Sequence, residues 1–275
     1  MASAIFPHHR PTPLTRLLLL PVMLLLTGAA AAAQGTGDLA MAAGGNTRNY
    51  LIGLAHTNIL DTYISQEKAS GPELRYIFDK ERRRDSSRVS FTMMHQAFIT
   101  SSDTRGNDNS MLSAMYSLKF GWHCNWWPLP GLRLRAGGMA DATLGGLYNT
   151  RNSNNPAQAR IALAIDPAIG AVWHFRLWRR PFALRYEACS PLIGAAFSPN
   201  YGQSYYEIFS RGNYDHNVVL THPGNAFQLH QLLLLDFRLW RATLTVGYMG
   251  DIRQLRANSL KYHQYSHGIV VGWKI

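Results

Sequence analysis

The chain predicts an all-β fold, an antiparallel up-and-down transmembrane β-barrel of about ten strands, with twelve as the alternative. Three observations carry this. The segment Tyr265–Ile275 alternates with period two: Tyr265, His267, Ile269, Val271, Trp273 and Ile275 share one side, and Ser266, Gly268, Val270, Gly272 and Lys274 the other. Small or polar residues opposite an apolar, aromatic-ended stripe suit a closing barrel strand better than a strand of a soluble sandwich. The connections between such runs alternate short and long, the rule for periplasmic turns and outer loops. Trp126, Trp127, Trp178 and Trp240 all fall at the short connections, where an aromatic girdle belongs.

The N-terminus reads as an address label. Arg10 and Arg16 precede an apolar core, Leu17 to Leu26, and Ala31-Ala32-Ala33 forms a small-residue cleavage site before Gln34. The core is shorter than the ~20 residues of a spanning helix, so residues 1–33 are a signal peptide, with an uncleaved anchor as the alternative. No later apolar run approaches helix-spanning length, and any membrane residence must therefore be as a barrel. Residues 34–48, rich in Gly and Ala, form a periplasmic lead-in, and 49–275 form one barrel domain.

The formal net charge is +11. An exported chain has no nucleic acid to meet, and the basic run Lys80-Glu81-Arg82-Arg83-Arg84 is placed in a turn. Outer-membrane lipid, through its anionic head groups, is the expected counter-charge. The two cysteines, Cys124 and Cys189, lie on opposite faces of non-adjacent strands, which predicts two free thiols.

The strands follow in order. Tyr50, Ile52 and Leu54 mark the first; Leu74, Tyr76 and Phe78 the second; Val89, Phe91, Met93, Ala97 and Ile99 the third. The fourth sets Leu112, Ala114, Tyr116, Leu118, Phe120 and Trp122 against Ser113, Ser117, Lys119, Gly121 and His123. The fifth sets Leu132, Leu134, Ala136 and Ala140 against Arg133, Arg135, Gly137 and Asp141. In the sixth, Ile161 through Phe175 is apolar at odd positions, and Pro167 predicts a bulge or kink. Phe182, Leu184 and Tyr186 mark the seventh, Phe227 to Phe237 the eighth and Leu244, Val246 and Tyr248 the ninth. The closing strand is the tenth. Val218, Val219 and Leu220 offer a weak further hairpin within Ser198–Asn225, the source of the count of twelve.

The inferred lumen carries Arg133, Arg135, Asp141, Arg160, Asp166, Arg185, Glu187, His230, Asp236 and Arg238, with Asp251 and Lys274 beside them. Mixed charges in a low-dielectric interior need partners, and hairpin geometry is expected to bring Asp141 near Arg160. One reading is an Arg-lined path for small anions; the other is a filled, self-neutralising core. For catalysis there is neither a Gly-x-Ser-x-Gly elbow nor a His-Glu-x-x-His motif. Asp215-His216, Asp61 and His222 are the outer acid/base candidates, although neighbours on an extended chain point opposite ways. No metal-ligand spacing surrounds either cysteine, and neither cofactor nor metal is expected.

The long outer loop concentrates Tyr201, Tyr205, Tyr206, Phe209 and Tyr214, interrupted by Gly202 and Gly212. Exposed tyrosines offer flat contact area at low entropic cost and suit glycan or protein binding; folded inward, they plug the mouth. Leu60, Tyr63 and Ile64 make another outer loop too apolar to stay solvated, so it is expected to pack down against the Tyr-rich loop.

Two stretches carry a family resemblance. Asn58-Ile59-Leu60-Asp61-Thr62-Tyr63-Ile64-Ser65 with Gly71-Pro72-Glu73-Leu74-Arg75, and Phe197-Ser198-Pro199-Asn200-Tyr201-Gly202-Gln203-Ser204-Tyr205-Tyr206-Glu207, resemble signatures of small Bacteroidetes outer-membrane barrels grouped as a domain of unknown function. The resemblance covers roughly Arg48 to Ile275 and implies an outer-membrane location without a catalytic residue. The resulting expectation is a monomeric envelope protein that binds through its outer loops, with Tyr63 among the binding aromatics. A narrow anion channel and a barrel-embedded hydrolase are the alternatives. The barrel-assembly machinery is the expected partner of Tyr265–Ile275, although Ile275 replaces the commoner terminal aromatic.

Overall fold

The structure, a computed structural model, describes residues 45–84, 87–106, 109–152, 155–178, 180–240 and 242–275. The expected leader and most of the lead-in lie outside them. Among the described residues twelve strands form: β1 (Gly45–Asp61), β2 (Ala69–Arg83), β3 (Val89–Thr104), β4 (Ser110–Leu129), β5 (Leu132–Asn149), β6 (Ala157–Leu177), β7 (Arg180–Cys189), β8 (Ile193–Phe197), β9 (Val218–Thr221), β10 (Gln228–Leu239), β11 (Ala242–Ala257) and β12 (Leu260–Lys274). One short helix, α1 (Tyr205–Phe209), lies between β8 and β9.

Ten of these strands close a barrel. Antiparallel pairing runs from β5 through β4, β3, β2 and β1 to β12, β11, β10, β7 and β6, and β6 pairs back onto β5. The ladder closes with a stagger. From Leu54 the partners lead one way through Leu74, Ile99, Ala114 and Gly146 to Ala159 on β6, and the other way through Ile269, Tyr248, Leu233 and Tyr186 to Ala171. Such a stagger requires strands tilted by roughly 40° to the barrel axis.

The count of ten therefore holds for the closed wall, while the residues behind the count of twelve do form a strand outside it. Val218–Thr221 is β9, paired with β8, and β8 takes over from β7 along the outer half of β6. The reason lies in Pro167. Pairing of β6 with β5 runs unbroken through Gly138 and Pro167, so β6 itself has no bulge. The interruption falls on the neighbouring strand. β7 ends with Cys189 opposite Ala168, the Ser190 amide donates to the Pro167 carbonyl at 3.2 Å, and β8 resumes with Ile193 opposite Ile165. In an antiparallel ladder a residue's N–H and C=O point to the same side, so the donor that proline lacks is missing on the side where the ladder breaks.

Two boundaries also differ from expectation. β1 begins at Gly45, and Lys80 to Arg83 continue β2 rather than forming a turn: Arg48 pairs with Lys80 and Gly45 with Arg83. Glu81 faces the lumen and bonds Arg133 there, so half of the basic run's alternation belongs to the interior.

The outer face is the apolar one. Leu54, Ile99, Trp122, Leu144, Leu163, Ile165, Ile169, Ile269 and Val271 are all exposed, and Trp178 and Trp240 stand in the short turns. An uncharged, aliphatic exterior on a closed sheet is the surface of a membrane-spanning barrel. Cys124 is exposed on this face and Cys189 is buried, both as free thiols.

Inside, polar and apolar layers alternate, and β2 alone reads them in order: Asp79, then Ile77, then Arg75 and Glu73, then Ala69, all buried. At the level of Ile77 a buried septum crosses the lumen, made of Leu51, Ile77 and Met94 from one wall and Leu232, Leu234, Met249 and Val270 from the other. Below the outer loops a second apolar layer includes Ile59, Phe98, Met111, Met115 and Leu147.

Candidate functional site, the plugged outer mouth

The mouth is built from the ends of β1, β6 and β12 and from the loops that they carry. Asp61, the last residue of β1, is buried and paired with Arg160 of β6, whose guanidinium lies 3.8 Å from the centre of the Tyr262 ring on β12. The other Asp61 oxygen accepts the Tyr63 amide at 3.1 Å, which turns the chain inward just after the strand. Tyr63 then donates its hydroxyl to the Gln203 carbonyl at 2.9 Å and meets Tyr205 edge-on, with ring centres 5.9 Å apart. Tyr205 in turn donates to Gln158 at 3.0 Å and accepts the Ala159 amide at 2.6 Å. The β1–β2 loop thus packs down against the Tyr-rich loop, as Tyr63 and Ile64 lead one to expect, and Ile64 and Ile208 are buried; Leu60 belongs instead to the end of β1, half-buried.

The long loop is internally braced. Ser204 caps α1: its hydroxyl accepts the Glu207 amide at 3.3 Å, while the Glu207 carboxylate accepts the Ser204 amide at 2.7 Å. That backbone bond, helped by the Ser204 hydroxyl, holds the Glu207 carboxyl below its usual range. Burial, with Tyr205 and Asp61 nearby, pushes the Tyr63 phenol up to about 12, so it stays protonated and remains a donor. Asn258 of the β11–β12 turn donates to the carbonyls of Ser198 and His216, each at 2.9 Å, and Asn152 donates to that of Ile64 at 3.2 Å. Four connections are therefore tied to one another over the opening.

This divides the six outer-loop aromatics. Tyr63 and Tyr205 belong to the plug, whereas Tyr201, Tyr206, Phe209 and Tyr214 remain 69%, 62%, 65% and 62% exposed. The acid/base candidates do not converge. Asp61 is committed to Arg160, and His222 accepts the Gly224 amide. Asp215 and His216 do touch, at 2.7 Å, because the backbone turns at His216 (φ +56°), the turn without which neighbours on an extended chain point apart. Both are exposed, and among the described residues no third side chain bonds the pair's carboxylate or imidazole.

Below the plug, every inward cation expected from the sequence except Arg238 has an acidic partner. Arg133 grips Glu81 with two bonds of 2.6 and 2.8 Å; Arg135 pairs with Glu187 at 2.5 Å; Arg185 pairs with Asp236 at 2.9 Å, which also receives Lys274 at 3.1 Å. Asp141 and Asp166 share Lys119 at 2.8 and 2.5 Å. Asp141 is thus paired with Lys119 rather than with Arg160, because Lys119 is its direct cross-strand partner while Arg160 stands opposite Gly145, further outward. Arg238 has inward parity but lies past the rim, exposed near the C-terminal end of β10, and does not line the lumen. His230 is buried. Glu73, Arg75, Asp79, Glu81, Lys119 and Arg253 complete the network; Arg75 joins Glu73 at 2.7 Å and Asp251 at 2.5 Å. Strict period two along β2, extended through the supposed turn at Lys80, and along β4 and β11 was the signal for them. Gly170 leaves space for Arg135, since a Cβ there would stand 2.5 Å from Nε.

Fold and site define a closed, membrane-spanning ten-stranded barrel with an occluded mouth. The chain belongs to a family of proteins of unknown function, DUF3316, whose model matches residues 17–274. No curated protein matches it by sequence. Among solved structures it is similar to the transport unit of the autotransporter AIDA-I from Escherichia coli (TM-score 0.45, 8% identity, covering 90% of this chain and 96% of that one). It is also similar to Neisserial surface protein A (0.35, 9%, 84% and 99%). A third is Ail, the attachment invasion locus protein of Yersinia pestis, in complex with the heparin analogue sucrose octasulfate (0.31, 8%, 84% and 99%).

Proposed function

We propose that this is an outer-membrane protein that presents its plugged mouth as a rigid binding surface and does not conduct. The observation that carries the reading is the division of labour in the outer loops. Tyr63 and Tyr205 lock the plug, while Tyr201, Tyr206, Phe209 and Tyr214 stay outside it. Large exposed aromatics on a braced loop contribute contact area without much ordering cost. An anion path is disfavoured because the lumen arginines are already paired with carboxylates and a buried apolar cluster that includes Leu51 and Leu234 stands within the lumen. Hydrolysis is disfavoured because Asp215 and His216 stand in solvent with nothing to exclude water.

Planar-bilayer recording of the refolded protein tests the closed lumen. A silent, heat-modifiable barrel is expected; discrete anion-selective steps that shrink on Arg133→Ala would establish the channel instead. Surface exposure of the loops is tested by protease shaving of intact cells, which should cut within 198–217 while leaving the barrel intact. Cleavage only after the envelope is opened would reverse the orientation.

A further inference from the structure

One recess in the mouth is lined partly by the plug and partly by polar side chains that the plug does not use. It lies between the β1–β2 turn and the start of the long loop, with a volume of about 390 Å³. Thr62, Ser65, Gln66, Asn155 and Tyr201 line it, together with Tyr63 and Ile64 of the plug and Leu260. Among the described residues its lining includes no carboxylate, guanidinium, ammonium or imidazole. Glu67 and Lys68 follow directly in sequence yet are not part of it.

The walls are held in place. The Thr62 amide donates to the Lys261 carbonyl at 3.0 Å, and the Lys261 amide donates back to the Thr62 hydroxyl at 2.9 Å. The amides of Ile64 and Ser65 both return to the Asp61 carbonyl, and Gln66 bonds the Thr62 carbonyl at 3.2 Å. On the far side the Gln203 amide closes a turn onto the Asn200 carbonyl at 3.0 Å, with Gly202 at φ +78°, a backbone conformation that costs glycine little. That turn carries Tyr201, whose ring is largely exposed.

From this lining we infer that the recess is a binding site for a neutral saccharide, a step that rests on the reading of the mouth as a binding surface. The chemistry is specific. Hydroxyl and amide groups each supply both donors and acceptors, the pattern that matches sugar hydroxyls, which do the same. A tyrosine face suits the C–H face of a pyranose ring. A charged ligand would be desolvated here without a counter-charge, and a wholly apolar one would strand the polar lining. The volume falls at the lower end of small-molecule sites, the size of a short saccharide rather than of an extended chain.

The test uses the full refolded chain in detergent micelles, titrated with neutral trisaccharides of glucose, galactose and mannose, with sialylated and sulfated trisaccharides, and with short peptides. Saturable binding of a neutral trisaccharide is expected, insensitive to salt, weakened about tenfold by Tyr201→Ala and retained by Tyr201→Phe. Gln66→Ala should weaken it several-fold. Heat-modifiable migration of each variant checks that the barrel has formed. Binding of a charged saccharide or a peptide, lost on joint Tyr206→Ala and Phe209→Ala but kept in Tyr201→Ala, overturns the neutral site and leaves the binding surface standing. Silence across the panel overturns the neutral site; silence together with ion conduction overturns both.

Discussion

The lumen and the mouth are closed by different means. In the lumen, charged side chains on facing strands neutralise one another at fixed cross-strand positions, as Lys119 does between Asp141 and Asp166. At the mouth a single buried ion pair, Asp61 with Arg160, is covered by loops that hold one another through tyrosine hydroxyls and backbone carbonyls. The lumen needs the barrel to exist at all, because removing either partner strands a charge in low dielectric. The mouth can loosen while the wall remains. Stability is therefore concentrated below, and the adjustable surface above.

The sharpest way to break this contrast is Lys119→Met. It leaves Asp141 and Asp166 buried without a cation and should destabilise the barrel by about 3–5 kcal/mol. The urea midpoint of the heat-modifiable form reads this directly. Adding Asp141→Asn and Asp166→Asn should recover most of the loss, since the three side chains act as one unit. An unaffected midpoint in Lys119→Met alone would show that the lumen pairs do not carry the stability.

Arg160→Met makes the corresponding cut at the mouth. Asp61 loses its partner and Tyr262 its cation, at a cost of about 1.5–3 kcal/mol. The expected signature differs from that of Lys119→Met: faster protease cleavage in residues 198–217 with little change in the barrel's unfolding midpoint. Loss of the whole barrel would mean that mouth and lumen unfold as one. Tyr63→Phe removes only the bond to the Gln203 carbonyl, worth about 1 kcal/mol, and should raise amide exchange in the long loop while leaving β1 and β2 protected.

The wall was legible in the sequence because one face of each strand is lipid and the other a packed interior, so period two is enforced residue by residue. That is why the sequence alone places Ile161, Leu163 and Ile165 outward and Asp166 inward. The septum was less visible: Leu232 and Leu234 face inward, and an apolar residue among the outward leucines of β10 blurs the alternation that marked the strand. Arg238 shows the converse failure, since parity says which way a side chain points but not where the wall ends. At the mouth, composition marked which loops pack down, and Tyr63 and Ile64 did so. Nothing local could say that Arg160 would choose Asp61 over Asp141, because that choice depends on barrel stagger and on Lys119 having claimed Asp141. Nor could it separate Tyr205, which is braced against Gln158, from Tyr206, its exposed neighbour on α1.

The smallest effect tests whether the exposed part of the mouth is ordered in its own right. Glu207 is held below the usual carboxylate range by the Ser204 amide and hydroxyl. A carboxyl whose folded pKa is depressed stabilises the fold above its unfolded value, near 4.3 for glutamate, and loses that contribution as pH falls through the folded value. The cap should therefore persist to a pH below the ordinary glutamate midpoint and then release α1 without disturbing the barrel. An NMR titration of the Ser204 and Glu207 amides follows this directly, and Ser204→Ala should move the midpoint up toward the ordinary value. If Glu207 titrates normally in the intact protein, the capping box does not form in solution. Tyr206 and Phe209 would then sit on a loose loop, and the contrast between a strand-held lumen and a loop-held mouth would extend to a mouth whose outermost layer is held by nothing.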